Sequence, residues 1–336
     1  MKILAVGDPH FKLEYPYGDL ISDGRRAERA EVLSTIHNAA KDCDAVVLMG
    51  DVFDKKHNHS SVIKDLVDFL DGFGEKKVYV ISGNHETYEG SKTALDFLIG
   101  VKPNWTIITP ANAPHAENGL GFVPYMTNAS LGVSSKEEAR EKLMSLIEVK
   151  KYDAIFMHHM VSGTFPEERV EEFVLPRERL EAASRLVVAG HIHEAESMGN
   201  TLMTGNMFSH QTGDHKKSVW VIDTDTATYK EVPLPVRPIY KMMNPTIASL
   251  DKLNKNGIIK VVLTEKGQDV EKIKDFINGF DAHTLVENYP DERERLHVEE
   301  GQTLDLSIPA LLDLYATSKK KDPARLKKAF AIVSAA

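Results

Sequence analysis

Five short apolar runs in this chain each stop at side chains able to bind metal ions or protons. That pattern restricts the fold more than any other feature. The clearest run is residues 46–49, followed by Gly50, Asp51, Val52, Phe53 and Asp54. Its residues do not alternate between apolar and polar, so as a strand it is buried on both faces. Gly50 allows a tight turn out of the sheet and leaves Asp51 at the strand's carboxyl end. Residues 2–6 lead in the same way to Asp8 and His10, and residues 77–81 to Asn84 and His85. Residues 153–157 lead to His158 and His159, and residues 186–189 to His191 and His193. Ligands of open α/β sheets bind beyond the carboxyl ends of the strands, so all five ends can meet at one site.

The segments between these runs have helical spacing. Ala30, Leu33, Ile36 and His37 form a stripe over residues 25–40; Val62, Leu66, Phe69 and Leu70 form another over 61–73, with Ser60 or Ser61 as cap. Helices are also expected at 91–99 and 136–149, further strands at 106–109, 120–123, 202–204, 218–222 and 228–232, and an acidic connector at 167–181. This alternation predicts an α/β core with a largely parallel sheet, and the later hairpin-like strands suggest a second, mixed sheet packed against it. Pro233, Pro235, Pro238 and Pro245 mark a break in composition. Beyond it, a strand at 258–263, a helix at 270–280 and a strand at 284–287 make a small α/β module, followed by helices at 308–317 and 323–333.

Composition excludes several classes. A single cysteine, Cys43, leaves no disulfide framework or cysteine-rich zinc site and suits a reducing cytoplasm. No apolar stretch reaches membrane-spanning length, and the start of the chain lacks the long apolar core of a secretory signal. A net charge of −9 argues against coating nucleic acid by charge alone, but leaves room for an enzyme whose cations handle phosphates.

The candidate ligands are carboxylates, imidazoles and one amide oxygen, without thiolate. That mixture suits two hard or borderline divalent ions, Mn²⁺ foremost, with Mg²⁺, Fe²⁺ and Zn²⁺ as alternatives. In Asp8-Pro9-His10 and His191-Ile192-His193, residues two apart on extended backbone point the same way, so each pair can face one cluster.

The motifs Gly7-Asp8-Pro9-His10, Gly50-Asp51-Val52-Phe53-Asp54, Gly83-Asn84-His85-Glu86, His158-His159 and Gly190-His191-Ile192-His193 resemble, in order and spacing, those of the calcineurin-like metallophosphoesterases across residues 1–240. The resemblance implies a two-sheet α/β sandwich. It implies one ion on Asp8, His10, Asp51 and His193 and another on Asp51, Asn84, His158 and His191. His85 would be the general acid, and Asp54, with Glu86 as a second candidate, would orient it. A bridging hydroxide between the ions would attack phosphorus.

Details of the chain are similar to the SbcD/Mre-eleven branch: the run from Asp54 to Ser61, the stretch Thr204-Gly205-Asn206-Met207-Phe208, and the small module. That likeness implies a nuclease domain at 1–238, a capping domain at 239–302 and a helical segment at 303–336. It also implies 3′→5′ exonuclease action on duplex DNA, endonuclease action on single strands, a homodimer, and an SbcC-type coiled-coil ABC ATPase as partner. The alternative on the same fold is a phosphomonoesterase or small-nucleotide phosphodiesterase. In the loop at 11–24, Phe11, Tyr15 and Tyr17, with Arg25 and Arg26 following, are candidates for stacking on DNA and pairing with phosphate, against the plainer reading of aromatics packed on the core. Leu326, Phe330 and Val333 form an apolar stripe that either docks the partner or packs in this chain.

Overall fold

The computed structural model describes residues 1–88, 90–164, 172–265 and 269–288, and the single position Ala324. The expected helix at 308–317, and that at 323–333 apart from Ala324, therefore lie outside the described residues. In chain order the strands are β1 (Lys2–Val6), β2 (Ala45–Leu48), β3 (Lys77–Ile81), β4 (Trp105–Ile108), β5 (His115–Glu117), β6 (Leu120–Val123), β7 (Ala154–Met157), β8 (Val187–Ala189), β9 (Glu196–Met198), β10 (Thr201–Met203), β11 (Ser218–Asp223), β12 (Thr228–Pro233), β13 (Ile239–Met243), β14 (Ile258–Leu263) and β15 (Ala282–Glu287). The α-helices are α1 (Arg26–Ala40), α2 (Ser60–Asp71), α3 (Asn128–Leu131), α4 (Lys136–Ile147), α5 (Arg177–Ala183), α6 (Ile247–Leu250) and α7 (Val270–Ile277).

Two six-stranded sheets form the core, in the orders β12-β11-β1-β2-β3-β4 and β5-β6-β7-β8-β10-β9. Strands β1 to β4 run parallel, as do β6, β7, β8 and β10. Side-chain alternation decides which layer each residue joins. Leu4, Val6, Val46 and Leu48 face outward onto Val32 and Ile36 of α1 and Leu66 and Phe69 of α2. Ile3, Ala5, Ala45 and Val47 face inward and meet Phe122, Ala154, Phe156 and Val188 of the other sheet. The second sheet's outer face buries Ile155, Met157 and Val187 against Leu143 and Met144 of α4 and Leu180 of α5. The result is a helix–sheet–sheet–helix sandwich, and the continuous apolar runs follow from strands covered on both faces.

Several local expectations change. The second sheet is built from the middle of the chain: the hairpin β11–β12 joins the first sheet, where β11 lies antiparallel to β1. Residues 91–99 are not a helix. Tyr88 N–H donates to Lys92 O and Ala94 N–H to Glu86 O, which ties the segment to the preceding loop and leaves only the turn Asp96–Leu98. In the expected acidic connector, Arg177–Ala183 is helical because Leu180 and Ala183 have an apolar layer to enter. The cap of α2 is His59, whose ring accepts from Ser61 N–H. Strand β13 sits where the prolines suggested only a break, and it runs parallel to β14, which runs parallel to β15. This third sheet meets Tyr17, Leu20 and Ile21 through Ile239, Ile258 and Ala282.

Candidate metal centre

All five ligand-bearing strand ends open on one place, where the carboxyl edges of the two sheets adjoin. Asp8, His10, Asp51, Asn84 and His85 follow β1, β2 and β3; His158, His191 and His193 follow β7 and β8. The backbone is forced to bring them there. Asp8, His10, Asp51 and His191 all have positive φ, at 29°, 45°, 43° and 84°. Non-glycine residues rarely occupy that region, and such strain gathers at functional sites. Two preceding glycines explain the close approach: a Cβ on Gly50 would lie 2.1 Å from His158 Nδ1, and one on Gly83 2.2 Å from Asp51 Oδ1. Any larger residue displaces a donor from the opposite strand.

Among the described residues four overlapping sets of donors result: Asp8, His10, Asp51 and His193; Asp51, His158 and His191; His10, Asp54 and His85; and His10, His193 and His210, of which the first two share Asp51. Asn84 completes the second set. Its Oδ1 is 3.1 Å from His158 Nε2 and 2.9 Å from His191 Nδ1; those two nitrogens are 3.2 Å apart, and Asp51 Oδ1 is 3.4 Å from His158 Nε2. In the first set His10 Nε2 and His193 Nε2 are 3.0 Å apart. Ligands with bonds of about 2.1 Å to an octahedral ion lie roughly 3 Å from their neighbours, so these spacings fit a coordination shell. The Asn84 oxygen is turned toward His158 and His191, the orientation in which it could coordinate an ion between them. Tautomers agree too. His158 Nδ1 donates to Met49 O at 2.7 Å, and His191 Nε2 lies 3.3 Å from a Glu172 oxygen, so in each ring the other nitrogen is left facing the cluster.

Burial sets the charges. Burial holds His10 down to about 3 and His193 to about 4, so both rings keep a lone pair. Burial, with Asp51 adding to it, pushes Asp8 up to about 8 although His158 opposes the rise. Burial alone would lower His158, but Asp51 and Asp8 raise it to about 10. The same burial disfavours a charged Asp51, which His158, His10 and His85 nonetheless hold below the ordinary carboxylate range. A proton on His158 thus stands in for cation charge when none is bound. Cation loading is expected to displace that proton, so affinity weakens as pH falls through the neutral range. Calorimetry of Mn²⁺ binding in buffers of different ionisation enthalpy checks this; heats independent of the buffer would refute it.

Around the donors, some expected roles shift. His85 Nδ1 donates at 2.7 Å to the main-chain carbonyl of Asp54, not to its carboxylate, which instead pairs with Lys12 Nζ at 2.5 Å. The Glu86 carboxyl is engaged by main-chain donors rather than by the His85 ring. It accepts from Phe53 N–H at 2.5 Å and Gly83 N–H at 2.8 Å, stitching the loops after β2 and β3 together. His159 points away from the donors, with Nε2 at 3.0 Å from Met126 N and 3.1 Å from Pro124 O. Phe11 and Tyr15 are buried against Phe69 and Phe208, and the fully buried Arg25 grips Glu28 through two 2.8 Å bonds. None of those three is free to meet DNA. Two residues by the donors had no counterpart in the sequence reading: Glu172, and His210, whose ring stands 5.2 Å from that of His10.

The family profile described as calcineurin-like phosphoesterase matches residues 1–195. The chain belongs to that family. Calcineurin-like phosphoesterases work with two metal ions, in keeping with the two donor sets here that share Asp51. A comparison with curated proteins returns no match. Similar solved structures include TT1561 of Thermus thermophilus, 15% identical over 69% of this chain and 98% of that one, with a TM-score of 0.42. A structure titled as a novel archaeal phosphodiesterase is 14% identical over 70% of this chain and 100% of its own, with a TM-score of 0.36. Among the described residues, no helix is long and apolar enough to cross a membrane.

Proposed function

We propose that this calcineurin-like phosphoesterase is a DNA nuclease of the SbcD/Mre-eleven kind, with one cation on Asp8, His10, Asp51 and His193 and a second on Asp51, Asn84, His158 and His191. When bound, such cations polarise phosphoryl oxygens and lower the pKa of coordinated water. Mn²⁺ is the proposed metal, for the mixed nitrogen and oxygen donors. The observation that favours a polymeric substrate is the exposed run Lys55, Lys56 and His57 directly after Asp54, whose carbonyl holds His85. Cations on the His85 side of the centre would position neighbouring phosphates of a strand.

His85 is the proposed proton donor. Its side chain is 38% exposed and its Nε2 lies 3.8 Å from Asp51 Oδ2, so it stands at the mouth of the centre. With Nδ1–H fixed on the Asp54 carbonyl, a proton on Nε2 is directed to a leaving oxygen. In this proposal residues 1–238 are the nuclease domain, 239–302 cap it, and 303–336 dock an SbcC-type ATPase on a homodimeric nuclease in the cytoplasm.

A second reading, hydrolysis of a phosphomonoester or small nucleotide, has its own support. Exposed Glu194 and Glu196 line a cleft of about 660 Å³ beside His191 and His193, and acids there oppose a long polyanion. One assay separates the two. In Mn²⁺ the purified protein is expected to degrade end-labelled duplex and single-stranded DNA, more weakly in Mg²⁺ and not at all in EDTA. Brisk turnover of small phosphoesters with DNA left intact would replace the nuclease reading with the second.

A further inference from the structure

We propose that Glu172 is a positioning residue for the cation on Asp51, Asn84, His158 and His191: it aims the His191 ring and lends that site negative charge through it. The inference rests on the two-cation reading and is indifferent to whether the substrate is DNA. The two sets that share Asp51 differ in charge. One has the carboxylates of Asp8 and Asp51; the other has only the shared Asp51, with two imidazoles and an amide beside it. A divalent ion in the second set is short of compensating charge, and a carboxylate behind a histidine ligand supplies it by making the ring a stronger base. Glu172 is placed for this. Its Oε2 stands 3.3 Å from His191 Nε2, while Asn84 Oδ1 lies 2.9 Å from Nδ1 of the same ring. No donor set among the described residues includes Glu172, which puts it behind His191 and not on the ion.

That oxygen is buried and makes no aligned hydrogen bond. A buried polar atom left unpaired calls for an explanation. A cation on Nδ1 draws electrons from the ring and strengthens Nε2–H as a donor, which gives the oxygen its partner. The surroundings hold both groups in place. Phe173, the next residue, is buried with its ring 5.2 Å from that of His159. Leu175 N–H donates to Met160 O and Ser162 N–H to Leu175 O, both at 2.9 Å, so the stretch just after His158 also anchors Glu172. The Tyr125 ring lies 6.1 Å from that of His191, 25° from parallel, and 5.5 Å from that of His159. A half turn of the His191 ring would put carbon atoms where both nitrogens now stand, so the carboxylate selects one face of the ring as well as one tautomer.

The test uses the full chain, stripped of metal and titrated with Mn²⁺. Wild-type protein should bind two equivalents; failure to do so would sink the two-cation reading itself. Given two equivalents, Glu172→Gln should weaken one site by roughly 10- to 100-fold and leave the other unchanged. Glutamine keeps the shape and an accepting oxygen but not the charge, so a spacer role predicts wild-type affinity. Unchanged affinity, or equal loss at both sites, overturns the proposal. Nitrogen-15 spectra of the diamagnetic Zn²⁺ protein give a second reading. The His191 proton should sit on Nε2, shifted downfield in wild type and back upfield in Glu172→Gln. Should the variant not fold, the wild-type spectrum decides: a downfield Nε2–H supports the pairing, and a proton on Nδ1 or an unshifted Nε2–H rejects it.

Discussion

Asp51→Asn is expected to release both cations and with them all phosphoester hydrolysis. The carboxylate is buried and shared: Oδ1 lies 3.4 Å from His158 Nε2 and Oδ2 3.8 Å from His10 Nε2, so each oxygen faces a different donor set. Asparagine keeps the shape, and its oxygen can still accept from His85 N–H, which donates to Oδ1 at 2.9 Å. What disappears is the negative charge common to both sets. Removing one partner from a buried charged arrangement costs about 3–5 kcal/mol, which converts to roughly 10²- to 10⁴-fold in cation affinity. Metal analysis of the purified variant is the check. Two retained equivalents would show that Asp51 is not the shared ligand.

His85→Gln should separate chemistry from metal binding. We expect the rate to fall roughly 10²- to 10⁴-fold, the usual contribution of a positioned proton donor, while both cations stay bound. The separation follows from geometry. His85 sits at the mouth with Nδ1 committed to the Asp54 carbonyl, whereas Asp8, His10, Asp51 and His158 lie deeper. Glutamine preserves much of the length but cannot cycle a proton near neutral pH. A variant that loses metal would make His85 a ligand; one with near wild-type turnover would make it a bystander.

The residues that meet at the centre were legible because the constraint is local. Each follows an apolar run and a glycine or short turn, and the carboxyl end of a strand is where such side chains must emerge. What stayed hidden depends on contacts remote in sequence. Nothing in Phe11 or Tyr15 announces that Phe69 and Phe208 bury them, or that Glu28 and Ser209 occupy Arg25. Asp54 stands at a position expected to orient His85, and the contact comes from its main chain, which every residue possesses. His210 follows β10 by way of Thr204 and Gly205, a sixth strand end with a glycine behind it. The six residues separating His210 from that strand concealed the parallel. Strand β13 was overlooked because prolines flank it, although a first or edge position in a sheet tolerates them.

The seam between the two sheets acts as a gauge for the centre. The two donor sets that share Asp51 each draw on both sheets: His193 joins Asp8, His10 and Asp51, while His158 and His191 join Asp51 and Asn84. A slip of one residue along a strand is about 3.3 Å, more than the whole length of a metal–ligand bond. The tolerance that keeps donors about 3 Å apart is therefore set well below the centre, by how Tyr79, Phe122 and Phe156 stack across and along the seam. Protein interiors are packed too densely to absorb such a slip gradually. The apolar interior machines the polar edge to size: buried residues well below the centre fix how closely candidate donors on two separate sheets approach one another.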